Sequence, residues 1–365
     1  VIRRRAQTCL TQAEAAEAFV DLPDRNRLLI AVSGGPDSMA LMALLAAWRG
    51  NDPALPVLYA ATVDHGLRDG SAGEAAMAAA EAARLGLRHA TLRWMGEKPG
   101  TGLAEAARKA RYALLAAEAR RIGARCIVTA HTMDDQAETV LMRFLRGSGP
   151  AGLAGMARRA QRGGLTHWRP LLGIRKARLV ATCTAMGVPY AVDPTNEDER
   201  YARPRLRKLL DTLAPEGVSV ERLARLAERQ ARANLSLTLQ AIAALGPAEP
   251  VAGGLRFWRH DLARVQPETQ IRALMLAFER ARQALDPSDA EAFFAEDAPL
   301  PLEKLETAMS RIDKALSEQR PCTLTLGGFA VSIMKDRSLK VVRERPRRHI
   351  HPVHPPSLGK GGDEA

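Results

Sequence analysis

Six consecutive residues carry the strongest chemical signal in the sequence: Ser33-Gly34-Gly35-Pro36-Asp37-Ser38. They follow the apolar run Leu28 to Val32, which reads as a buried strand. They precede an Ala-, Leu- and Met-rich stretch, Ser38 to Trp48, which reads as a helix. Two glycines let the backbone turn sharply and approach a ligand without Cβ clashes. The start of a helix presents unpaired N–H groups and a positive dipole end, an anion site. Ser33 and Ser38 add hydroxyl donors. The loop has no lysine, so it is not G-x-x-x-x-G-K-[ST], and it is not G-x-G-x-x-G either. Asp37 would repel a phosphate bound there unless a cation intervened. Mg²⁺, which takes one or two protein carboxylates plus phosphate oxygens, is the natural inference. A tight strand–helix turn with Asp37 as a capping acid accounts for a lone Ser-Gly-Gly, but poorly for all six residues in this setting.

Three further segments carry chemistry-bearing residues. Thr62-Val63-Asp64-His65-Gly66-Leu67-Arg68 follows a second strand signal, Val57 to Val63. Ala130-His131-Thr132-Met133-Asp134-Asp135-Gln136-Ala137-Glu138-Thr139 follows a strand at Arg125 to Ala130. Asp193-Pro194-Thr195-Asn196 precedes Tyr201 and a run of arginines.

The elements that must position these segments alternate. Helical stretches at Ser71–Leu85, Thr101–Ile122 and Asp134–Arg146 separate the strands, with a further strand at Ala90–Trp94. This βαβα order predicts an α/β fold with a parallel sheet covered on both faces. Ligands then sit beyond the carboxyl ends of the strands, in the loops after Val32, Val63, Trp94 and Ala130. The second half differs. Val220–Leu245, Glu268–Ala284 and Leu302–Leu316 read as helices, followed by short strands at Thr323–Leu326, Phe329–Met334 and Leu339–Val342. The expected division is a catalytic domain over 1–215, a smaller, mostly helical domain over 216–320, short C-terminal strands over 321–345 and a disordered tail over 346–365.

The 365 residues carry a net charge of +12, which allows a polyanionic partner but argues weakly for one. Hydrophobic content of 46% excludes a wholly disordered chain. No apolar run reaches the ~18 residues of a membrane span, and no secretory signal is visible. The four cysteines, Cys9, Cys126, Cys183 and Cys322, are dispersed without a CxxC, which argues against a disulfide framework or a Cys-based metal cluster. A reducing, cytoplasmic setting is expected.

The Ser33–Ser38 loop resembles the pyrophosphate-binding loop of the N-type ATP pyrophosphatases, the PP-loop superfamily, which cleave ATP between the α- and β-phosphates and adenylate an oxygen of an acceptor. Together the four segments resemble the tRNA(Ile)-lysidine synthetase family, specifically through about residues 28–212 and loosely beyond. The resemblance implies ATP as cosubstrate and Mg²⁺. It implies L-lysine and a CAU-anticodon isoleucine tRNA as substrates. ATP would adenylate the C2 oxygen of the wobble cytidine, and the lysine ε-amine would displace AMP to give lysidine.

On that resemblance Ser33, Gly34, Gly35, Pro36, Asp37, Ser38, Arg68 and His131 are expected at ATP. Asp37, Asp134, Asp135, His65 and Arg111 are expected to act in catalysis. Asp134 and Asp135 would either hold Mg²⁺ with Asp37, Asp134 being the expected second ligand, or fix the lysine ammonium. Helix capping is the alternative account of both, outweighed by the family pattern that His131, Gln136 and Glu138 complete. His65 would bond phosphate or assist proton transfer, and Arg68 would neutralise phosphate charge. Lys109, Arg111 and Tyr112 lie on a long helix whose charges also suit a solvated face.

Two basic clusters are candidates for tRNA contact. Arg158, Arg159, Arg162, Arg169, Arg175, Lys176 and Arg178 occur without an acid between Met156 and Arg178, with His167 and Trp168 among them to stack on a base. Arg200, Arg203, Arg205, Arg207 and Lys208 form the second. Pro204 replaces the family's Asn between two arginines, and proline disfavours helix at Arg203. A tRNA thiolase on the same loop is the competing reading, weakened by the dispersed cysteines. A non-catalytic RNA-binding protein is another, weakened by the intact loop and paired aspartates. Oligomeric state is open, a homodimer included.

Overall fold

A computed structural model describes residues 8–50, 52–67, 70–96, 98–192, 200, 202–258, 260–285 and 300–344. Arg68, the Asp193–Asn196 segment, Tyr201 and the tail over 346–365 lie outside the described residues. The chain divides into two compact units between Asn234 and Leu235.

The first unit is built on a six-stranded sheet in the order β3-β2-β1-β4-β6-β5. These strands are β1 (Arg27–Ala31), β2 (Val57–Asp64), β3 (Arg88–Arg93), β4 (Cys126–Val128), β5 (Arg159–Arg162) and β6 (Leu165–Trp168). The first four and β6 run parallel, as the alternation predicts. β5 is an antiparallel edge strand hairpinned to β6. Central β1 buries Leu28, Leu29 and Ile30 completely, as a strand covered on both faces must.

One face is covered by α1 (Gln12–Phe19) and α2 (Pro36–Arg49). Eight consecutive residues of α2, Ser38 to Leu45, are buried, so the helix has almost no solvent side. Against it packs α7 (Lys176–Met186). The other face is covered by α4 (Leu103–Arg121) through Leu115 and Ala119. The remaining helices of this unit are α3 (Ser71–Arg84), α5 (Met133–Leu145), the single turn α6 (Pro150–Leu153) and α8 (Ala202–Leu213). Leu141 of α5 packs on Leu206 and Leu210 of α8. Pro204 sits within the first turn of α8, and Arg203 is helical. Pro204 is tolerated because a first-turn residue has no intrahelical N–H bond to lose, and Arg203 is helical despite the restriction that a following proline imposes.

From β1 the chain proceeds outward to β2 and β3, then crosses to β4 on the other side. The crevice at this reversal of strand order lies between the carboxyl ends of β1 and β4. Two of the four segments singled out by sequence, Ser33–Ser38 and Ala130–Thr139, flank it.

α9 (Val220–Leu245) runs across the division. The helices expected of the second half form, at Val220–Leu245, Pro267–Gln283 and Leu302–Ser317, and the second unit adds strands to them. It holds a five-stranded antiparallel sheet, β7-β8-β11-β10-β9, with β7 (Ala248–Val251), β8 (Gly254–Phe257), β9 (Cys322–Leu326), β10 (Phe329–Ile333) and β11 (Leu339–Arg343). α10 (Pro267–Gln283) and α11 (Leu302–Ser317) share its core, where Phe278 meets Phe329 edge-on at 5.6 Å. β9, β10 and β11 fall where the sequence puts strands, whereas the β7–β8 hairpin has no counterpart in the sequence reading. Among the described residues no helix is long and apolar enough to cross a membrane.

Candidate active site

The glycine loop leaves β1 and enters α2 with Gly35 as N-cap and Pro36 as the first helical residue. Proline is pre-shaped for that position and lacks the N–H that would be orphaned there. The helix therefore starts two residues before the Ser38 that the sequence suggests, and Asp37 and Ser38 lie inside its first turn. Gly34 has φ +82°, and a Cβ there would lie 3.3 Å from Glu74 Cβ on α3, so the turn demands glycine on both counts. The serine hydroxyls are committed within the loop. Ser38 Oγ donates to Gly35 O at 3.0 Å and accepts from Ser33 N at 3.0 Å, with Ser33 Oγ 3.2 Å away. They hold the loop's shape, so the predicted hydroxyl donors are not both free for a ligand.

Asp37 is held from across the crevice. Lys176, the first residue of α7, donates Nζ to Asp37 Oδ2 at 2.7 Å. Asp37 Oδ1 is buried with no donor. Burial pushes the Asp37 carboxyl above its usual range against the pull of Lys176, and the charges of Asp135 and Asp134 add to the rise. The three aspartates that the sequence picks out are thus brought together.

Their partners differ. Asp134 accepts Arg175 Nε at 3.2 Å on both oxygens, and its Oδ2 accepts the Lys176 amide at 2.8 Å. Arg175 also pairs with Glu221 at the start of α9. Asp135 closes a capping box with Thr132: its Oδ2 accepts Thr132 N and Oγ1 at 2.8 Å each. The helix-capping account therefore holds for Asp135, whatever else it does. For a divalent cation, Asp37 fits, because it keeps a buried oxygen without a partner. Asp134 has both oxygens occupied. Among the described residues no group of three His, Cys, Asp or Glu side chains is arranged to hold a metal.

A cationic wall stands beside this acidic group. His65 follows β2, and Arg111 on α4 donates Nε and Nη2 to its Nε2, each at 3.1 Å. Burial and Arg111 push the His65 imidazole down to about 4. At neutral pH it is an acceptor that aims Arg111, with Nδ1 buried and unpartnered; this favours positioning over the proton transfer considered from sequence. His131 rests on Thr129 Oγ1 at 2.9 Å. Burial pushes it down to about 4, with Asp135 opposing and Arg169, Arg203 and Arg108 adding. His167 is pushed down to about 4 by burial and by Arg169, Arg162 and Arg108. Tyr112 lies 5.2 Å from the His167 ring, with Arg108 and Arg162 over its face at 5.1 and 5.6 Å. Five guanidiniums, Arg108, Arg111, Arg162, Arg169 and Arg203, thus share one electrostatic neighbourhood. Such a concentration of positive charge suits a polyanion.

The basic clusters do not act as one surface. Arg158 bonds Asp21 and the carbonyls of Ala18 and Pro170, and Arg159 pairs with Asp21 at 3.2 Å. Arg178 pairs with Glu14. The stretch is free of acids in sequence, but acids from elsewhere meet it in space. Arg207 donates to Glu138 Oε1 at 2.6 Å. Arg205 is exposed and donates to Arg200 O at 3.0 Å. Trp168 is wholly buried against Phe19, at 6.0 Å, and cannot stack on a base. The apolar environment between β4 and the α1 layer claims it; Tyr112 is the ring beside the arginines instead.

Sequence reasoning placed Lys176 in a basic cluster for tRNA rather than beside the glycine loop, and named Glu138 only within the Ala130–Thr139 segment. Glu138 is buried on α5, its Oε2 accepts no hydrogen bond, and burial raises its pKa against the pull of Arg207. A Glu four residues from Asp134 signals a shared face, but nothing local announces the Lys176–Asp37 pair, 139 residues apart in the chain.

Residues 7–213 match the family model described as a PP-loop domain. The chain is 45% identical over 357 residues to the tRNA(Ile)-lysidine synthase of Bradyrhizobium sp. strain BTAi1, covering 93% of this chain and 96% of that one. It is 49% identical over 325 residues to the tRNA(Ile)-lysidine synthase of Methylobacterium sp. strain 4-46, covering 88% and 90%. Among solved structures it resembles a U34-tRNA thiolase NcsA from Methanococcus maripaludis with its [4Fe-4S] cluster, at TM-score 0.52 and 16% identity over 60% of this chain and 77% of that one. That last likeness concerns the fold alone.

Proposed function

The chain belongs to the tRNA(Ile)-lysidine synthase family, and from that membership we propose how its site works. The reaction joins L-lysine to C2 of the wobble cytidine in CAU-anticodon tRNA(Ile), using ATP. The C2 oxygen attacks the α-phosphate and pyrophosphate leaves. The lysine ε-amine, having lost a proton, then attacks C2, and AMP departs with that oxygen. A carbonyl oxygen is a poor leaving group, and adenylation makes it a good one. The substrates point to the cytoplasm.

The observation that carries this reading is the glycine loop at the β1/β4 crevice facing both an acidic cluster and a cationic wall. The loop's backbone and the start of α2 take the ATP phosphates. Asp37, whose buried Oδ1 has no partner, would hold Mg²⁺, which would screen the phosphate charge. Glu138 keeps a buried oxygen without a hydrogen-bond donor, and the lysine ammonium is a fitting partner for it. Arg111, aimed by His65, answers the charge that develops on phosphate. The remaining arginines of the wall, Arg162, Arg169 and Arg203 among them, take the anticodon backbone. An anticodon base is already unpaired, so presenting it costs little.

The test is incubation with ATP, isotopically labelled lysine and unmodified CAU-anticodon transcript, followed by nucleoside analysis. Label in the cytidine, with AMP and pyrophosphate released, is the expected result. Release of ADP and orthophosphate, or a sulfur-dependent product, would overturn it.

A further inference from the structure

We propose that Lys176 is this site's phosphate-binding lysine. Without nucleotide its ammonium neutralises Asp37; when ATP binds, it moves onto the phosphate oxygens and leaves Asp37 to the divalent cation. The proposal rests on the reading that the Ser33–Ser38 loop binds ATP.

The loop lacks a lysine of its own, and its two hydroxyls are spent on each other and on Gly35 O. Charge for the phosphates must come from another element. Lys176 is fixed at its backbone by the 2.8 Å bond from its amide to Asp134, so its stem starts from a defined point. Its side chain is 42% exposed, against 19% for Asp37. The ammonium therefore caps the carboxylate from the side open to solvent, the side from which a nucleotide enters. Neighbouring Arg175 is tied to two carboxylates, Asp134 and Glu221. Of the two adjacent cations, Lys176 has the single side-chain partner among the described residues, and the flexible four-carbon stem.

Asp37 itself is only half satisfied, with Oδ2 on Lys176 and Oδ1 buried without a donor. An incoming polyphosphate offers the ammonium several oxygens in place of one. A divalent cation arriving with it would replace the ammonium as the counter-charge of Asp37. Exchange of partners leaves no charge uncompensated, whereas simple addition of Mg²⁺ would crowd two cations onto one carboxylate.

The test uses the full chain with Lys176→Met and Lys176→Arg. Two quantities are read: Mn²⁺ binding to nucleotide-free enzyme, by electron paramagnetic resonance, and tRNA-dependent ATP–pyrophosphate exchange. For Lys176→Met, Mn²⁺ should bind several-fold more tightly, because its competitor is gone. Exchange should fall by about 10²–10³, the effect of losing one donor to developing charge. Lys176→Arg should keep more exchange than Lys176→Met and leave Mn²⁺ binding near that of the wild type. A merely structural lysine would weaken both readouts together. Unchanged Mn²⁺ affinity, or exchange within threefold of wild type in Lys176→Met, overturns the proposal. Should Lys176→Met fail to fold, exchange in Lys176→Arg as low as in Asp37→Asn would overturn it equally. Wild-type lysidine formation is unaffected by any of these results, so the family reaction stands or falls separately.

Discussion

His65 and Arg111 meet across the carboxyl edge of the sheet, with Nε and Nη2 of the arginine both 3.1 Å from the imidazole Nε2. The contact requires a neutral ring with its proton on Nδ1, because a protonated imidazole has no lone pair to offer. His131 and His167 lie in the same cationic neighbourhood, and all three are pushed down to about 4.

These shifts set a pH dependence of stability. In the unfolded chain the three histidines titrate near 6.5. Between there and pH 4 the unfolded state binds more protons, so stability rises with pH through this window and is lost on acidification. Asp37 and Glu138, whose pKa values are raised, work in the opposite sense towards the acid end. Urea denaturation at pH 5.0 and 6.5 should show lower stability at the lower pH. Replacing His65 by Gln should reduce the slope by up to one proton. Identical slopes in the two proteins would show that His65 titrates normally.

Asp37→Asn should separate stability from activity. Burial already disfavours the Asp37 charge, so the neutral amide loses the Lys176 pair but also sheds a desolvation cost. Unfolding free energy should stay within about 1 kcal/mol of wild type, while tRNA-dependent ATP–pyrophosphate exchange vanishes. A well-folded variant with retained exchange would remove Asp37 from the chemistry.

Gly34→Ala should damage the loop in particular. The residue needs φ +82°, and its new Cβ would press on Glu74. The left-handed region costs a non-glycine residue about 1–2 kcal/mol, and α3 or the loop must shift. We expect a raised KM for ATP with little change in the KM for lysine. An unchanged KM for ATP would mean that the loop's shape does not set nucleotide affinity.

Much of this site is legible in the sequence because its parts are local. The Ser33–Ser38 turn and the Asp134–Glu138 helix start are contiguous motifs placed after apolar strands. The β5–β6 hairpin is less legible: Arg159-Ala160-Gln161-Arg162 is polar, since an edge strand has little apolar surface to bury. Gly163-Gly164 between the two strands is the signal that could have found it. The charged clusters are misleading for a different reason. A stretch without acids is not an uncompensated stretch, because Asp21, Glu14 and Asp134 reach it from other elements. Ion pairing across long sequence separations has no local signature, and the place of Lys176 beside Asp37 is hidden for the same reason.

Arg207→Met should destabilise the fold. It removes the close partner of the buried Glu138 carboxylate, whose Oε1 accepts Arg207 Nε at 2.6 Å, and leaves Arg203 Nε 3.9 Å from Oε2. With Arg207 itself partly exposed, the loss is about 2 kcal/mol. Pairing it with Glu138→Gln in a double-mutant cycle should recover part of that cost, since the buried charge is then gone. Strict additivity would show that the two side chains do not interact.

The arginines divide into those that tie elements of the protein together and those that line the cationic wall, and two variants should behave oppositely. Arg158 ties Asp21 to the carbonyls of Ala18 and Pro170, so Arg158→Gln should lower stability and leave the salt dependence of tRNA binding unchanged. Arg162 is exposed on the β5 edge and contributes to the cationic wall around Tyr112. Arg162→Gln should fold normally and bind tRNA more weakly. Its plot of log affinity against log salt should flatten by about one, the signature of one lost phosphate contact. Arg169, which shares that wall, should add a further decrement when changed as well. If Arg158→Gln flattened the plot and Arg162→Gln did not, the anticodon backbone would lie along the α1 side of the unit rather than across the crevice.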